Sequence, residues 1–127
     1  MTRAVRALRI VVTDDDPSLL TRVVEVLRGA GHIVFAAYDG LAACELTQVI
    51  ARLDLLITNT RITNLDAPEL IARVRAAKPE LAILHLGRPL PQEGPTRGVP
   101  TLQEPFSGAE LLEAVRRVLD RRPVGAE

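Results

Sequence analysis

Residues 8–20 read LRIVVTDDDPSLL, and this stretch decides the fold. Leu8 to Thr13 is a β-branched run of strand length. Asp14, Asp15 and Asp16 follow at its end, and Asp16-Pro17 then supplies a helix cap and a proline at the first helical position. Beyond it Leu19, Leu20, Val23, Val24 and Leu27 recur at helical spacing until Gly29 and Gly31 stop the pattern. A buried strand thus passes through a polar turn into an amphipathic helix, the first half of a parallel crossover unit.

The same rhythm repeats downstream. His32 to Ala37 (HIVFAA) reads as a second strand, with His32 exposed at its start; Asp39 then caps a helix through Ile50. Leu53 to Thr58 is a third strand that opens into a polar loop at Asn59. Asp66 and Glu69 have the spacing of a capping box, and the helix they open carries Leu70, Ile71 and Val74 until Pro79 forbids it to continue. Leu81 to Leu86 (LAILHL) is the fourth strand. Gly87 to Pro100 then holds four prolines and three glycines, so the spacing predicts a loop or a single turn where a helix is due. A short fifth strand around Thr101 to Gln103 leads to Ser107 and Glu110, a second capping box, with Leu111, Leu112, Val115, Val118 and Leu119 inward. Arg116, Arg117, Arg121 and Arg122 crowd the end of that helix and read as a solvated terminus that complements the dipole, not as a nucleic-acid patch. Arg122 to Glu127 reads as a frayed tail.

Composition agrees with this order. The chain has 127 residues, read as one domain (1–127) with a core from about residue 8 to 121 and tails at both ends. Its 47% apolar content comes almost wholly from Leu, Val, Ile and Ala, with 2% aromatics, the profile of parallel strands covered by helices. The formal net charge is zero, which gives no global field for nucleic acid or a membrane surface. Cys44 is the single cysteine and reads as a small core residue; a lone thiol suggests a reducing compartment. No apolar run reaches the ~18 residues of a bilayer span, and MTRAVRALR lacks the apolar segment of a signal peptide, so a cytoplasmic location is expected.

Five strands alternating with helices imply parallel, right-handed crossovers and an open sheet covered on both faces. Ligand chemistry in such sheets lies beyond the carboxyl ends of the strands. The residues there are Asp14, Asp15 and Asp16, then Asn59, Gly87 and Glu104. His85, in mid-strand, reads as a packed histidine, Asp54 as a strand-entry charge and Asp66 as a helix cap. No Ser-His-Asp order, Gly-rich phosphate loop or zinc spacing appears, and no enzyme is expected.

RIVVTDDDPSLL, EVLRGAGHIVFAAYDG, DLLITNTRI, PELIARVRAAKPELAIL and EPFSGAELLEAVRRVL, in this order over nearly the whole chain, resemble the receiver domain of bacterial response regulators. The resemblance implies a flavodoxin-like (CheY-like) three-layer α/β sandwich with parallel strand order 2-1-3-4-5, its fourth helix here shortened or missing. It also implies roles. In that family two acidic residues after the first strand hold Mg²⁺, an aspartate after the third accepts phosphate from a histidine kinase, a Thr or Ser after the fourth follows the phosphate, and a Lys before Pro after the fifth pairs with it. Asp14 and Asp15 match the acidic pair. Asn59 falls on the acceptor, Gly87 on the hydroxyl, Glu104 on the lysine and Thr101 on an aromatic position of strand five, so four switch positions have changed. The Glu104-Pro105 bond is expected to be cis by the same resemblance.

Chemistry bears on each change. An amide oxygen is neutral and a poor nucleophile, so Asn59 is not expected to accept a phosphoryl group. Asp15 and Asp14 are left as a weak Mg²⁺ site at best, and no cofactor is required. The Asn59 amide can donate to Asp14 or Asp15 and relieve their crowding. Glu104 inward would gather three negative charges with Asp14 and Asp15; outward it is a surface glutamate, which is the expectation. The leading reading is a receiver-like module of two-component phosphorelay signalling that works by phosphorylation-independent contact with a protein partner, either a histidine kinase, another response regulator or an output protein. Its partner faces would be the first helix, with Arg22, Glu25 and Arg28 outward, and the Thr101 strand with the last helix. The alternatives are a phosphorylatable receiver using Asp14 or Asp15 as substitute acceptor, and a small-ligand or anion sensor in the strand-end crevice.

Overall fold

The computed structural model describes residues 6–121; the tails read at the two ends lie wholly or mostly outside them. The elements run β1 (Arg9–Thr13), α1 (Pro17–Gly29), β2 (Ile33–Ala37), α2 (Gly40–Val49), β3 (Leu55–Asn59), α3 (Ala67–Ala77), β4 (Ala82–Leu86), β5 (Thr101–Leu102) and α4 (Gly108–Asp120). All strand pairings are parallel and the sheet order is β2-β1-β3-β4-β5, the predicted flavodoxin-like order.

Side chains on successive strand residues point to opposite faces. Ile10, Val12, Leu55, Ile57, Leu84 and Leu86 pack beneath α1 and α4, while Val11, Leu56 and Ile83 pack beneath α2 and α3. Both faces are covered, so β3 and β4 are buried along their whole length. Cys44 lies in the α2–α3 layer, as its helical position predicts.

Local chemistry sets the helix ends. Asp16 accepts from the Ser18 and Leu19 N–H groups, and Ser107 with Glu110 closes a full capping box. The box read at Asp66 and Glu69 forms only by half: Asp66 accepts from Glu69 N–H, but the Glu69 carboxylate turns along the helix to Arg73. The reason is competition, since an i, i+4 arginine offers Glu69 a charged partner. His32 is also not simply exposed. It is half-buried, and its Nδ1 accepts from Leu8 N–H at 3.1 Å, tying the loop before β2 to the start of β1. At the start of α2 glycine is obligatory, because a Cβ on Gly40 would lie 2.1 Å from the Leu65 carbonyl oxygen.

Between β4 and β5 the helix is absent, as the prolines predict, and a 3-10 turn at Gly94–Thr96 stands in its place. Without a helical ladder, side chains satisfy this backbone. Gln92 bonds to the Leu90 and Val99 carbonyls and to Gly98 N–H, and Arg75 of α3 donates to the Pro95 and Arg97 carbonyls at 2.7 Å each. Val99 is buried with α2 and α3, so the loop still covers that face of the sheet.

Candidate functional site at the strand ends

The carboxyl ends of β1, β3, β4 and β5 are stitched together by backbone bonds. Asp15 N–H donates to the Arg61 carbonyl at 2.9 Å, Thr60 N–H to Leu86 at 3.1 Å and Gly87 N–H to Leu102 at 3.0 Å. This brings Asp14, Asn59, Gly87 and Glu104 to one rim, as the sequence predicts.

Asp14 is buried, 2% exposed; its Oδ1 accepts from Asp16 N–H at 2.9 Å and its Oδ2 has no partner among the described residues. Burial raises its pKa to about 6, against the lowering effects of that N–H and of the Arg61 charge. Asp15 is exposed at the rim and Asp16 serves as the helix cap.

Asn59 is fully buried, and its amide is not spent on the acidic pair. Its Oδ1 accepts from Arg61 N–H at 3.0 Å and its Nδ2 donates to Glu104 Oε2 at 3.4 Å. The expectation that Glu104 is a plain surface glutamate is therefore corrected. Its carboxylate turns back over Asn59 and pairs with the Arg61 guanidinium, Nη2 to Oε2 at 3.0 Å, with side chains 45% and 29% exposed. Arg61 supplies the cation that stops three carboxylates from gathering, and the bond from Glu104 raises its own pKa further. Nothing in strand period or motif marks Arg61. Only its place two residues after Asn59, at the same loop mouth, could have drawn attention to it.

A second group that sequence reasoning missed lies beneath. Thr58 Oγ1 and His85 Nδ1 are 2.7 Å apart, His85 Nε2 and Thr60 Oγ1 3.1 Å, and Thr60 Oγ1 accepts from Arg88 N–H at 2.9 Å. His85 is fully buried and desolvation lowers its pKa to about 4, so it is neutral at pH 7. It is the packed histidine expected, held by two hydroxyls. This chain explains Gly87. A Cβ there would meet Thr60 Oγ1 at 2.6 Å, and the backbone φ of +110° disfavours any other residue. The space of a side chain at position 87 is taken by the Thr60 hydroxyl, which is fixed to His85. Thr101 pairs with His85 in register across β4 and β5, and its hydroxyl has no partner among the described residues. The Glu104-Pro105 bond is cis.

Mg²⁺ asks for an octahedral set of oxygens. Asp14 Oδ2 is one oxygen without a partner among the described residues, but Asn59 Oδ1 already accepts from Arg61 N–H and the Arg61 carbonyl from Asp15 N–H. With a guanidinium also beside the pair, these residues do not fit a tightly held resident ion.

A five-stranded parallel α/β module with an acidic residue buried at the end of β1 and a polar crevice over β3 and β5 defines the class: a flavodoxin-like domain with its site at the strand ends. No family model and no curated protein sequence matches the chain. Solved structures do. The chemotaxis response regulator CheY4 of Vibrio cholerae is 28% identical, with 90% of this chain and 100% of that one covered and a TM-score of 0.80. A response regulator receiver protein from Sinorhizobium medicae is 28% identical, covering 93% and 98%, with a TM-score of 0.79. The signal receiver domain of an HD domain-containing protein from Pseudomonas fluorescens is 25% identical, covering 91% and 96%, at 0.79. In fold, and at these identities in sequence, the chain is similar over nearly its whole length to the response regulator receiver (CheY-like) domains of phosphorelay signalling.

Proposed function

We propose that this domain signals through protein–protein contact in a state that does not depend on aspartyl phosphorylation. The observation that carries the reading is Asn59, which stands at the acceptor position and is engaged on both sides, by Arg61 N–H and by Glu104. A neutral amide does not attack phosphorus, and the Arg61–Glu104 pair already joins the β3 and β5 loops. Its polarity is the reverse of an acidic acceptor facing a lysine: here the cation rises from the β3 loop and the anion from the end of β5. The linkage is therefore self-contained and asks for neither phosphate nor metal.

On this reading the domain is not an enzyme, needs no cofactor, binds Mg²⁺ only weakly at Asp14 and Asp15, and works in the cytoplasm. Its partner is a histidine kinase, another response regulator or an output protein. The exposed Arg22, Glu25 and Arg28 on α1 offer a charged face for it. The test is incubation with acetyl phosphate and Mg²⁺ followed by intact-mass measurement. No phosphoryl gain is expected, and Asn59→Asp alone restores little, because Gly87 and Glu104 remain unsuited to the transfer. A stoichiometric gain by the wild type would sink the proposal, and its loss in Asp15→Ala would move the acceptor to that exposed carboxylate.

A further inference from the structure

We infer that the flank of α2 beside the β2 edge is a docking surface for a helix of another protein, one with an apolar stripe and a basic residue at its middle. The large apolar side chains that stand exposed among the described residues, Ile33, Tyr38, Leu41 and Val49, all fall within residues 33–49. α2 carries one charge, Glu45, in its ten residues, while α1 and α3 carry three each and α4 five. A helix that faces water normally shows it a polar side, and one that is apolar all round is normally covered.

The geometry of the layer leaves a place for that cover. Neighbouring strands lie about 4.8 Å apart and packed helices about 10 Å, so two helices span about four strands and one edge strand of five is left partly bare. On the α2–α3 face that strand is β2, since the loop before β5 covers the other edge with Val99. Ile33 and Phe35 alternate onto this face, the first 45% exposed and the second half-buried. The Arg9 guanidinium lies over the Phe35 ring, 5.5 Å from its centroid, and Arg9 Nε donates to the Ala51 carbonyl at 3.1 Å. An arginine thus gives a partial cover where a helix would give a full one. Gly40 abuts Leu65, just before α3. The opposite flank of α2, Ala42, Leu46 and Val49 at i, i+4 and i+7, therefore lies toward β2.

Other occupants fit less well. A strand added to β2 would need its outward backbone groups. Ile33 N–H and the Ala37 carbonyl bond to β1, so Val34 faces outward, and its carbonyl is taken by the Arg28 guanidinium at 2.8 Å. A second copy of this chain would pair α2 with α2 about a two-fold axis, and Glu45, in mid-helix, would meet its own copy across an apolar seam. The same Glu45 favours a partner that brings a cation, and the flank beside it favours one that brings apolar side chains. An amphipathic helix of a different protein, laid beside α2 as a third helix of the layer, supplies both. The surface uses none of the residues at the strand-end site, so the inference stands whether or not position 59 accepts phosphate.

The experiment is an amide chemical-shift titration of the full chain with a capped, alanine-based helical peptide that carries leucines at i, i+4 and i+7 and a lysine in the middle turn. A second peptide has glutamate in place of that lysine. Saturable shifts confined to residues 33–49 are expected, with the lysine peptide binding about fivefold tighter than the glutamate peptide. Glu45→Lys is expected to reverse that order. Val49→Asp, at a position 76% exposed, is expected to weaken both peptides about tenfold while the rest of the spectrum reports an intact fold. Shifts spread over the whole surface, an absence of saturation, or an order that Glu45→Lys leaves unchanged overturn the inference. Concentration-dependent shifts at the same residues without peptide, abolished by Val49→Asp, name a second copy as the occupant and overturn it as well.

Discussion

Two polar links cross the carboxyl edge of the sheet, and they are built differently. Thr58–His85–Thr60 joins β3 to β4, uncharged, running from buried Thr58 and His85 to exposed Thr60, with contacts of 2.7 and 3.1 Å. Arg61–Glu104 joins the β3 loop to the end of β5 at the surface, charged, with contacts of 3.0–3.4 Å. The Thr58–His85 contact of the first is fully buried and cannot be exchanged for water, so it fixes geometry. The second is open to solvent and screened, so breaking it costs little. A buried, rigid floor under a solvent-exposed, charged lid is the arrangement that results.

The largest effect is expected from breaking the floor. His85→Leu leaves the buried Thr58 hydroxyl without its histidine partner, while Thr60 keeps the Arg88 N–H, a loss of about 3 kcal/mol. Urea denaturation should show a lower midpoint at unchanged slope; a change within error would mean the chain carries no stability.

A subtler break comes from pH, because two buried groups beneath the rim oppose one another. The Asp14 carboxyl is raised from 3.8 to about 6, so between those values the folded protein holds more protons than the unfolded chain and stability falls as pH rises. His85 is lowered from 6.5 to about 4, so between those values the folded protein holds fewer protons and stability rises with pH. Each slope reaches at most about 1.4 kcal/mol per pH unit, and in the wild type they largely cancel between pH 4 and 6. Asp14→Asn should therefore reveal stability that climbs with pH over this window, and His85→Leu stability that declines. Parallel curves for both variants, measured by urea melts at stepped pH, would break the picture.

The smallest effect belongs to the lid. Glu104→Gln should shift stability by under about 1 kcal/mol, since its pair is partly exposed and its contacts are long. A loss as large as that of His85→Leu would place the two links in one class and remove the contrast.

Much of this was legible from residues alone. The alternation of strand and helix, the two-faced period of β1, β3 and β4, the proline-blocked crossover before β5 and the rim positions of Asp14, Asn59, Gly87 and Glu104 all follow from local rules. Arg61 was not legible, because a loop arginine carries no pattern until the end of β5 is placed beside it. The role of His85 was hidden for a related reason. Thr58 and His85 are neighbours only through the parallel register of β3 and β4, which pairs residues 27 positions apart.

The sequence by itself determined the order of elements, the covered sheet and the neutral amide of Asn59 at the end of β3, since each depends on side-chain chemistry and near neighbours. Tertiary structure alone decided that Glu104 folds over Asn59 to pair with Arg61 at the surface, that the Thr60 hydroxyl takes the space above Gly87, and that Asp14 Oδ2 is left without a partner among the described residues. Those outcomes depend on distances between strand ends, and such distances exist only once the sheet has closed its register.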